Sequence, residues 1–218
     1  MGGNNMTKIK EIAKAVAGGK IKVVPGLVQQ ALDEGIAANE IIGGMTDAMN
    51  EVGQKFSAGE IYVPEMLVAA KAMKAGVEIL KGKMTEGEGA KAGKCIIGTV
   101  AGDLHDIGKN LVAMMIESAG YEVIDLGVDV PADKFIETIN ANPDCHVVAC
   151  SALLTTTLES LKNTVAAITA AGLRNQVKIL VGGAPVRQSY ADHIGADGYA
   201  SDAPGAARKV KEMYTCFS

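Results

Sequence analysis

The sequence has no tryptophan, only three phenylalanines and five tyrosines in 218 residues. Single-stranded nucleic acid is usually held by stacking on aromatic rings, and this chain has few to offer. It also has no long basic run. Its 21 Lys and Arg are interspersed with 25 Asp and Glu, for a net charge of −4. That pattern gives no electrostatic footprint for nucleic acid or an anionic membrane. No apolar run is long enough for a bilayer, so no membrane span is expected. The opening Met1-Gly2-Gly3-Asn4-Asn5 lacks the charged-then-apolar pattern of a secretion signal. Gly2 follows Met1 as in a myristoylation site, but Met6 stands where Ser or Thr is required. The four cysteines, Cys95, Cys145, Cys150 and Cys216, form no CxxC pair. Reduced, buried thiols in a cytoplasmic protein are expected rather than disulfides or zinc ligands.

What is present is apolar residue in quantity, 48% of the chain, enough for one or two buried cores. The first part reads as helical. Ile9, Ile12, Ala13 and Val16 share one face of a helix over 7–17, which Gly18-Gly19 stops. A second helix fits Val24 to Leu32, with Pro25 in its first turn. A third spans Ala38 to Phe56 and a fourth Pro64 to about Met84, with apolar residues at helical spacing. Short connections between four helices predict an antiparallel bundle. Met45, Met49, Met66 and Met73 are expected as core, since methionine fills irregular gaps. The connection carrying Phe56, Ile61, Tyr62 and Val63 is apolar where bundle loops are usually polar, so it wants a partner.

Residues 85–93 are charged, glycine-rich and without apolar anchors, and read as a linker. The pattern then changes to alternation. Strands are expected at 94–100, 121–126, 145–150, 177–182 and 198–200, and helices at 107–119, 131–141, 157–171, 187–194 and 203–214. The expected architecture is an N-terminal four-helix bundle (1–84), a linker (85–93) and a flavodoxin-like, Rossmann-type domain with a five-stranded parallel sheet (94–218).

The chemistry concentrates after the first strand, in Gly102-Asp103-Leu104-His105-Asp106-Ile107-Gly108-Lys109. In an open α/β sheet such a loop lies at the carboxyl end of a strand, where ligands bind. Gly108-Lys109 opening a helix suggests a P-loop, but the spacing from Gly102 is wrong and Asn110 follows the lysine. A phospho-accepting receiver would need an acid after the third strand, where Ser151-Ala152-Leu153-Leu154 stands instead. A lone histidine is usually structural. Asp103, two residues before His105, changes that balance because it can hold the ring nitrogen that a ligand does not use. Gly102 and Gly108 permit close backbone approach. Ser151 to Thr157 and Val181 to Pro185 place two more small-residue segments at strand ends. His146 and His193 show no such context, and no local partner is expected for His146. No HExxH or Cys/His cluster supports a zinc site.

Asp103-Leu104-His105-Asp106-Ile107-Gly108, Ser151-Ala152-Leu153 and Gly182-Gly183 together resemble the DxHxxG, SxL and GG signature of cobalamin-binding domains. Val52 to Glu65 resembles the helical cap module of methyltransferase-type cobalamin proteins. The resemblance runs from about residue 7 to about 214, and is to the small corrinoid proteins of methanol, methylamine and related methyltransferase systems, similar also to the cobalamin module of methionine synthase.

The resemblance implies a corrinoid cofactor, cobalamin or a relative, bound base-off and His-on, with His105 as the lower ligand of cobalt. It implies that Asp103 hydrogen-bonds His105 and that Thr157 supplies a relay hydroxyl to the acid. Ser151 and Thr155 would contact the displaced nucleotide tail, Gly182 and Gly183 would leave it room, and Ala203 matches a further tail position. Gly102, Leu104, Asp106, Ile107, Gly108 and Leu153 would line the corrinoid. Phe56 and Val63 match cap residues over the methyl-bearing face, which would make the apolar connection a lid. The implied function is a methyl carrier cycling between Co(I) and methyl-Co(III), not a complete enzyme alone. Its implied partners are a substrate-specific methyltransferase, an acceptor methyltransferase using a thiol or folate, and a reductive-activation protein. Rival readings are a cobalamin-binding subunit of an adenosylcobalamin mutase, a corrinoid sensor, and a generic flavodoxin-like binding module. The methyl donor is not legible.

Overall fold

In the computed structural model, residues 2–80 and 92–217 are described. The chain divides into two compact units, Met1–Ala90 and Lys91–Ser218.

In the first unit the apolar periodicities become α1 (Gly2–Ala17), α2 (Val24–Asp33), α3 (Ala38–Ser57) and α4 (Val63–Leu80). Helix α1 starts ahead of the expected residue 7 because residues 2–5 carry no apolar side chain to mark a face. It closes at Gly19, whose positive φ of 64° lets Lys20 N–H reach back to Ala15 C=O at 2.9 Å. Ile12, Val16, Val24, Val28, Ile41 and Leu80 are buried together with Met45, Met49, Met66 and Met73. A Cβ on Gly76 would stand 2.4 Å from Met45 Cε, so this glycine on α4 makes the space that Met45 fills. The four methionines are core.

The apolar connection is shorter than expected. Phe56 lies within the last turn of α3 and Val63 opens α4, so the loop is only 58–62. Helix α3 persists past Phe56 because Ala58 N–H still bonds Gln54 C=O at 2.9 Å. Helix α4 starts early because Glu65 accepts the Tyr62 N–H at 3.1 Å, the returning half of a capping box. Residues 81–84 of the expected fourth helix and 85–91 of the expected linker lie outside the described residues. Ala92 and Gly93 already belong to the second unit: Ala92 N–H bonds Gly120 C=O and Gly93 C=O accepts from Glu122.

The second unit runs β1 (Lys94–Thr99), α5 (Ile107–Ser118), β2 (Glu122–Asp125), α6 (Ala132–Ala141), β3 (Cys145–Ser151), α7 (Leu158–Ala170), β4 (Lys178–Gly182), α8 (Gln188–Ile194), β5 (Gly198–Ala200) and α9 (Ala203–Tyr214). The strands form one parallel sheet in the order β2-β1-β3-β4-β5. Ile96, Val148, Ile179 and Val181 pack with Phe135 and Ile139 of α6, and with Leu161, Val165 and Ile168 of α7. Helices α5 and α9 pack on each other. Helices thus cover both faces, which is why β1 and β3 are near-continuous apolar runs. The chain leaves β1 toward β2, then crosses back to β3. The carboxyl ends of β1 and β3 therefore flank the switch point where such sheets bind ligands.

The opposite end of the sheet is locked by the C-terminal helix. The Tyr214 hydroxyl donates to Lys94 C=O and accepts from Lys94 N–H at 2.6 Å and His146 N–H at 3.2 Å. Burial pushes its pKa up to about 12, so it stays protonated. His146 does have partners: its Nδ1 meets Gln176 C=O at 3.0 Å, and its ring stacks on Phe217 at 4.5 Å. These lie far away in sequence, which is why local reading found none. Tyr214→Phe is expected to lower the stability of this unit by about 2 kcal/mol, through two backbone N–H groups and one carbonyl losing their shared partner. A thermal melt of the full chain reads it.

The cysteines are free. Cys95, Cys145 and Cys150 are buried, whereas Cys216 is exposed on a terminal 3-10 turn, against the expectation that it too would be buried. No described helix is long and apolar enough to cross a membrane.

Candidate functional site

Strand β1 ends at Thr99, and the chain turns through Gly102, whose φ is 82°. That turn sends the Asp103 side chain inward, fully buried, while Leu104 and His105 point out. Asp103 then collects four hydrogen bonds. Its Oδ1 faces His105 Nδ1 at 2.7 Å and the His105 N–H at 3.1 Å. Its Oδ2 takes the Leu153 N–H at 2.6 Å and the Thr157 hydroxyl at 2.8 Å. Burial alone would raise the pKa of this carboxyl. The donors from Leu153, the His105 ring, the His105 backbone and Thr157 outweigh it and bring it down to about 2. Asp103 is therefore a carboxylate at neutral pH and an acceptor in every contact. Its oxygen holds His105 Nδ1, so in the neutral ring the proton stays on Nδ1 and Nε2 is the nitrogen left for a ligand, on a side chain 49% exposed.

Thr157 and Leu153 come from the loop after β3, so the acid ties together the two strand ends at the switch point. Thr157 is buried on a 3-10 turn (Thr155–Thr157), and its hydroxyl also lies 3.0 Å from Leu154 C=O. Below them, the Thr99 hydroxyl donates to His105 C=O at 2.9 Å and lies 2.9 Å from the Ser151 hydroxyl. The loop is thus gripped through its side chains and through its main chain.

The loops that carry His105 and Leu153 also carry exposed apolar side chains. Leu104 is 72% and Ile107 77% exposed, and Leu153 and Leu154 are exposed as well. Soluble surfaces rarely leave such residues together without a ligand or partner. Gly108, in the first turn of α5, has no atom of the described residues beyond its chain neighbours and its own helix backbone within 4 Å of where a Cβ would stand. A helical glycine costs about 1 kcal/mol relative to alanine. Here no packing within the protein asks for it, and the open space admits a flat ligand. A histidine with one fixed tautomer, a lone pair facing outward and an apolar floor suits a planar metal macrocycle.

The remaining expected residues are distributed as follows. Gly182 ends β4 and Gly183 follows it, next to the β3 loop, with Ala152 N–H bonding Gly182 C=O at 3.1 Å. The packing is tight at Gly182 and requires glycine at Gly183. A Cβ on Gly182 would stand 3.0 Å from Ala200 C=O, and one on Gly183 1.8 Å from Ala152 C=O. Gly183→Ala is expected to cost about 3 kcal/mol, since φ of 126° is also closed to alanine; a thermal melt reads it. Thr155 is exposed at the start of its turn. Asp106 sits at the N-terminus of α5, its C=O accepting from Asn110 N–H at 2.8 Å. Ala203 is buried at the start of α9, next to Asp202, which caps that helix through Gly205 N–H. In the other unit, Phe56 is half-buried, Val63 is partly exposed and Tyr62 is 70% exposed.

Residues 93–208 and 8–81 each match a B12 binding domain family. The chain belongs to the B12-binding corrinoid proteins. The dimethylamine corrinoid protein of Methanosarcina barkeri is 44% identical to it over 94% of this chain and 96% of its own. A cobalamin-binding protein from Desulfitobacterium hafniense DCB-2 superposes with a TM-score of 0.82 at 30% identity, over 94% of this chain and 98% of that one. The crystal structure of the methanol:cobalamin methyltransferase complex MtaBC from Methanosarcina barkeri gives 0.81 at 27% identity, over 96% and 80%. The cofactor of a B12-binding corrinoid protein is a corrinoid, and the outward Nε2 of His105 with its apolar surround fits one.

Several groups in this site escaped the sequence reading. Leu153 acts on Asp103 through its backbone N–H, which no residue type announces. Thr99 is a buried polar residue ending an apolar strand, the one visible signal of a role. Asp125, Lys109 and Asp129 lie around the loop without any motif to flag them.

Proposed function

We propose that this corrinoid protein is the methyl carrier of a methylamine-type methyltransferase system, with the corrinoid held base-off and His-on through His105 Nε2. Bound there, the cobalt would supply the chemistry of accepting and releasing the methyl group. The chain's own residues orient and enclose it. Asp103 holds Nδ1–H, so the ring presents the same nitrogen each time the ligand bond is made. Thr157 and the Leu153 N–H hold Asp103 in turn, so the ring has little freedom when Nε2 is free. Leu104, Ile107 and Leu153 give the macrocycle an apolar bed. Ser151, Thr155, Gly182, Gly183 and Ala203 line the path for the nucleotide tail.

The observation that carries this is the Asp103–His105 pair: a buried carboxylate fixing one ring nitrogen while the other is presented on an apolar, exposed loop. The names of the relatives favour a methylamine as donor. The carrier would be loaded by a substrate-specific methyltransferase, unloaded by an acceptor methyltransferase using a thiol or folate, and restored by a reductive-activation protein. The test is to reconstitute the protein with hydroxocobalamin, reduce it, and supply each methylamine or methanol with its own methyltransferase. Spectral conversion with one methylamine pair supports the reading. Conversion only with methanol would reassign the donor, and none with any pair would remove the carrier role.

A further inference from the structure

Among the described residues, Asp129 is the one non-glycine with a positive φ, 52°. It lies in the β2–α6 connection, exposed to solvent, and belongs to none of the motifs above. A backbone held in a sparsely populated region is kept only where its surroundings demand it, and such residues gather at functional sites. Its contacts show what demands it here. Asp129 Oδ1 accepts the Gly102 N–H at 2.7 Å. Its own N–H donates to the Asp103 carbonyl at 2.9 Å. One residue thus grips the main chain on either side of the peptide joining Gly102 to Asp103, where the chain turns to send Asp103 inward.

The connection that carries Asp129 is itself anchored. Val130 N–H bonds Thr99 C=O and Thr99 N–H bonds Gly127 C=O, each at 3.0 Å. Gly127 N–H bonds Asp125 Oδ1 at 2.8 Å, and Asp125 Oδ2 meets the buried Lys109 ammonium at 2.5 Å. Lys109 stands in the first turn of α5, just past the loop. The end of β2 and the connection after it therefore hold the His105 loop at both ends, through Asp125 and Lys109 at the exit and Asp129 at the entry.

We infer that Asp129 is a positioning residue for the cobalt ligand: by fixing the Gly102–Asp103 peptide it sets where Asp103 points, and so which nitrogen of His105 is presented. It acts through Asp103 rather than on the cofactor. The inference deepens the proposed function and rests on His105 being the corrinoid ligand.

Two substitutions separate backbone strain from the hydrogen bond. Asp129→Gly relieves the positive φ but deletes the acceptor. Asp129→Asn keeps an acceptor oxygen and tolerates the same conformation. In the full-length apoprotein, nitrogen–proton correlation spectra of the imidazoles read the His105 tautomer, and amide exchange reads Gly102. Wild type and Asp129→Asn are expected to hold the Nδ1–H tautomer. Asp129→Gly is expected to populate both tautomers, to exchange the Gly102 amide about tenfold faster, and to bind hydroxocobalamin about tenfold more weakly. If the Asp129→Gly apoprotein matches wild type in tautomer and exchange, the positioning role is overturned. If Asp129→Asn behaves as Asp129→Gly, the charge and not the hydrogen bond to Gly102 is what matters, and the inference is likewise overturned. If wild type binds hydroxocobalamin without coordination by His105, the His-on reading fails while the apoprotein result stands on its own.

Discussion

Replacing Asp103 by alanine should damage both the fold and the cofactor site. The side chain is fully buried and accepts from Leu153 N–H, His105 N–H, the His105 ring and the Thr157 hydroxyl. Alanine leaves these donors facing a void. Each unsatisfied buried donor costs about 1–3 kcal/mol, and water entering from the exposed His105 side would recover part of that. A net loss of about 3 kcal/mol is expected by thermal or urea unfolding, with corrinoid affinity down by about 10- to 100-fold, the usual effect of removing the group behind a metal-bound histidine. Asp103→Asn separates the two effects. Its oxygen can keep the Leu153 and Thr157 donors, but its amide then faces His105 Nδ1 and favours the proton on Nε2. It should be more stable than the alanine variant and still bind corrinoid poorly. Equal stability of Asp103→Ala and wild type would show that the four bonds carry no net energy.

His105→Ala is expected to spare the fold. The ring is 49% exposed and makes one hydrogen bond, to Asp103. Its loss should cost the fold about 1 kcal/mol or less. Corrinoid binding should fall by at least about tenfold, and the bound fraction should lose the spectrum of a histidine-ligated cofactor. Asp103→Ala thus moves stability and binding together, whereas His105→Ala moves binding alone. Parallel melts and hydroxocobalamin titrations check the contrast. A His105→Ala protein that binds as tightly as wild type would mean that the surrounding apolar contacts hold the cofactor unaided.

The element order and most boundaries were legible because apolar spacing changes cleanly from a helical repeat to alternating strand and helix near residue 94. The misread places share a cause. The third helix was expected to end at Phe56 and the fourth to begin at Pro64, whereas the Ala58–Gln54 and Tyr62–Glu65 hydrogen bonds carry the one on to Ser57 and start the other at Val63. His146 looked unpartnered because its carbonyl and its stacking ring come from Gln176 and Phe217. Within the site, a histidine two residues after an acid is a local pattern and could be read directly. Thr157 could be named only through the resemblance, since its contact with Asp103 spans 54 residues. The Leu153 N–H and the grip of Asp129 were invisible. One is a main-chain donor, and the other depends on a φ that the sequence Gly127-Val128-Asp129-Val130 does not declare.

In the proposed function His105 replaces the cofactor's own base on cobalt. The direct measurement is the electron paramagnetic resonance spectrum of the protein reconstituted with cob(II)alamin, prepared with ordinary histidine and with histidine labelled with nitrogen-15. Coordination through His105 Nε2 predicts a nitrogen triplet on the cobalt lines that becomes a doublet on labelling and vanishes in His105→Ala. A triplet unchanged by the label would place the cofactor's own base on cobalt and contradict the assignment.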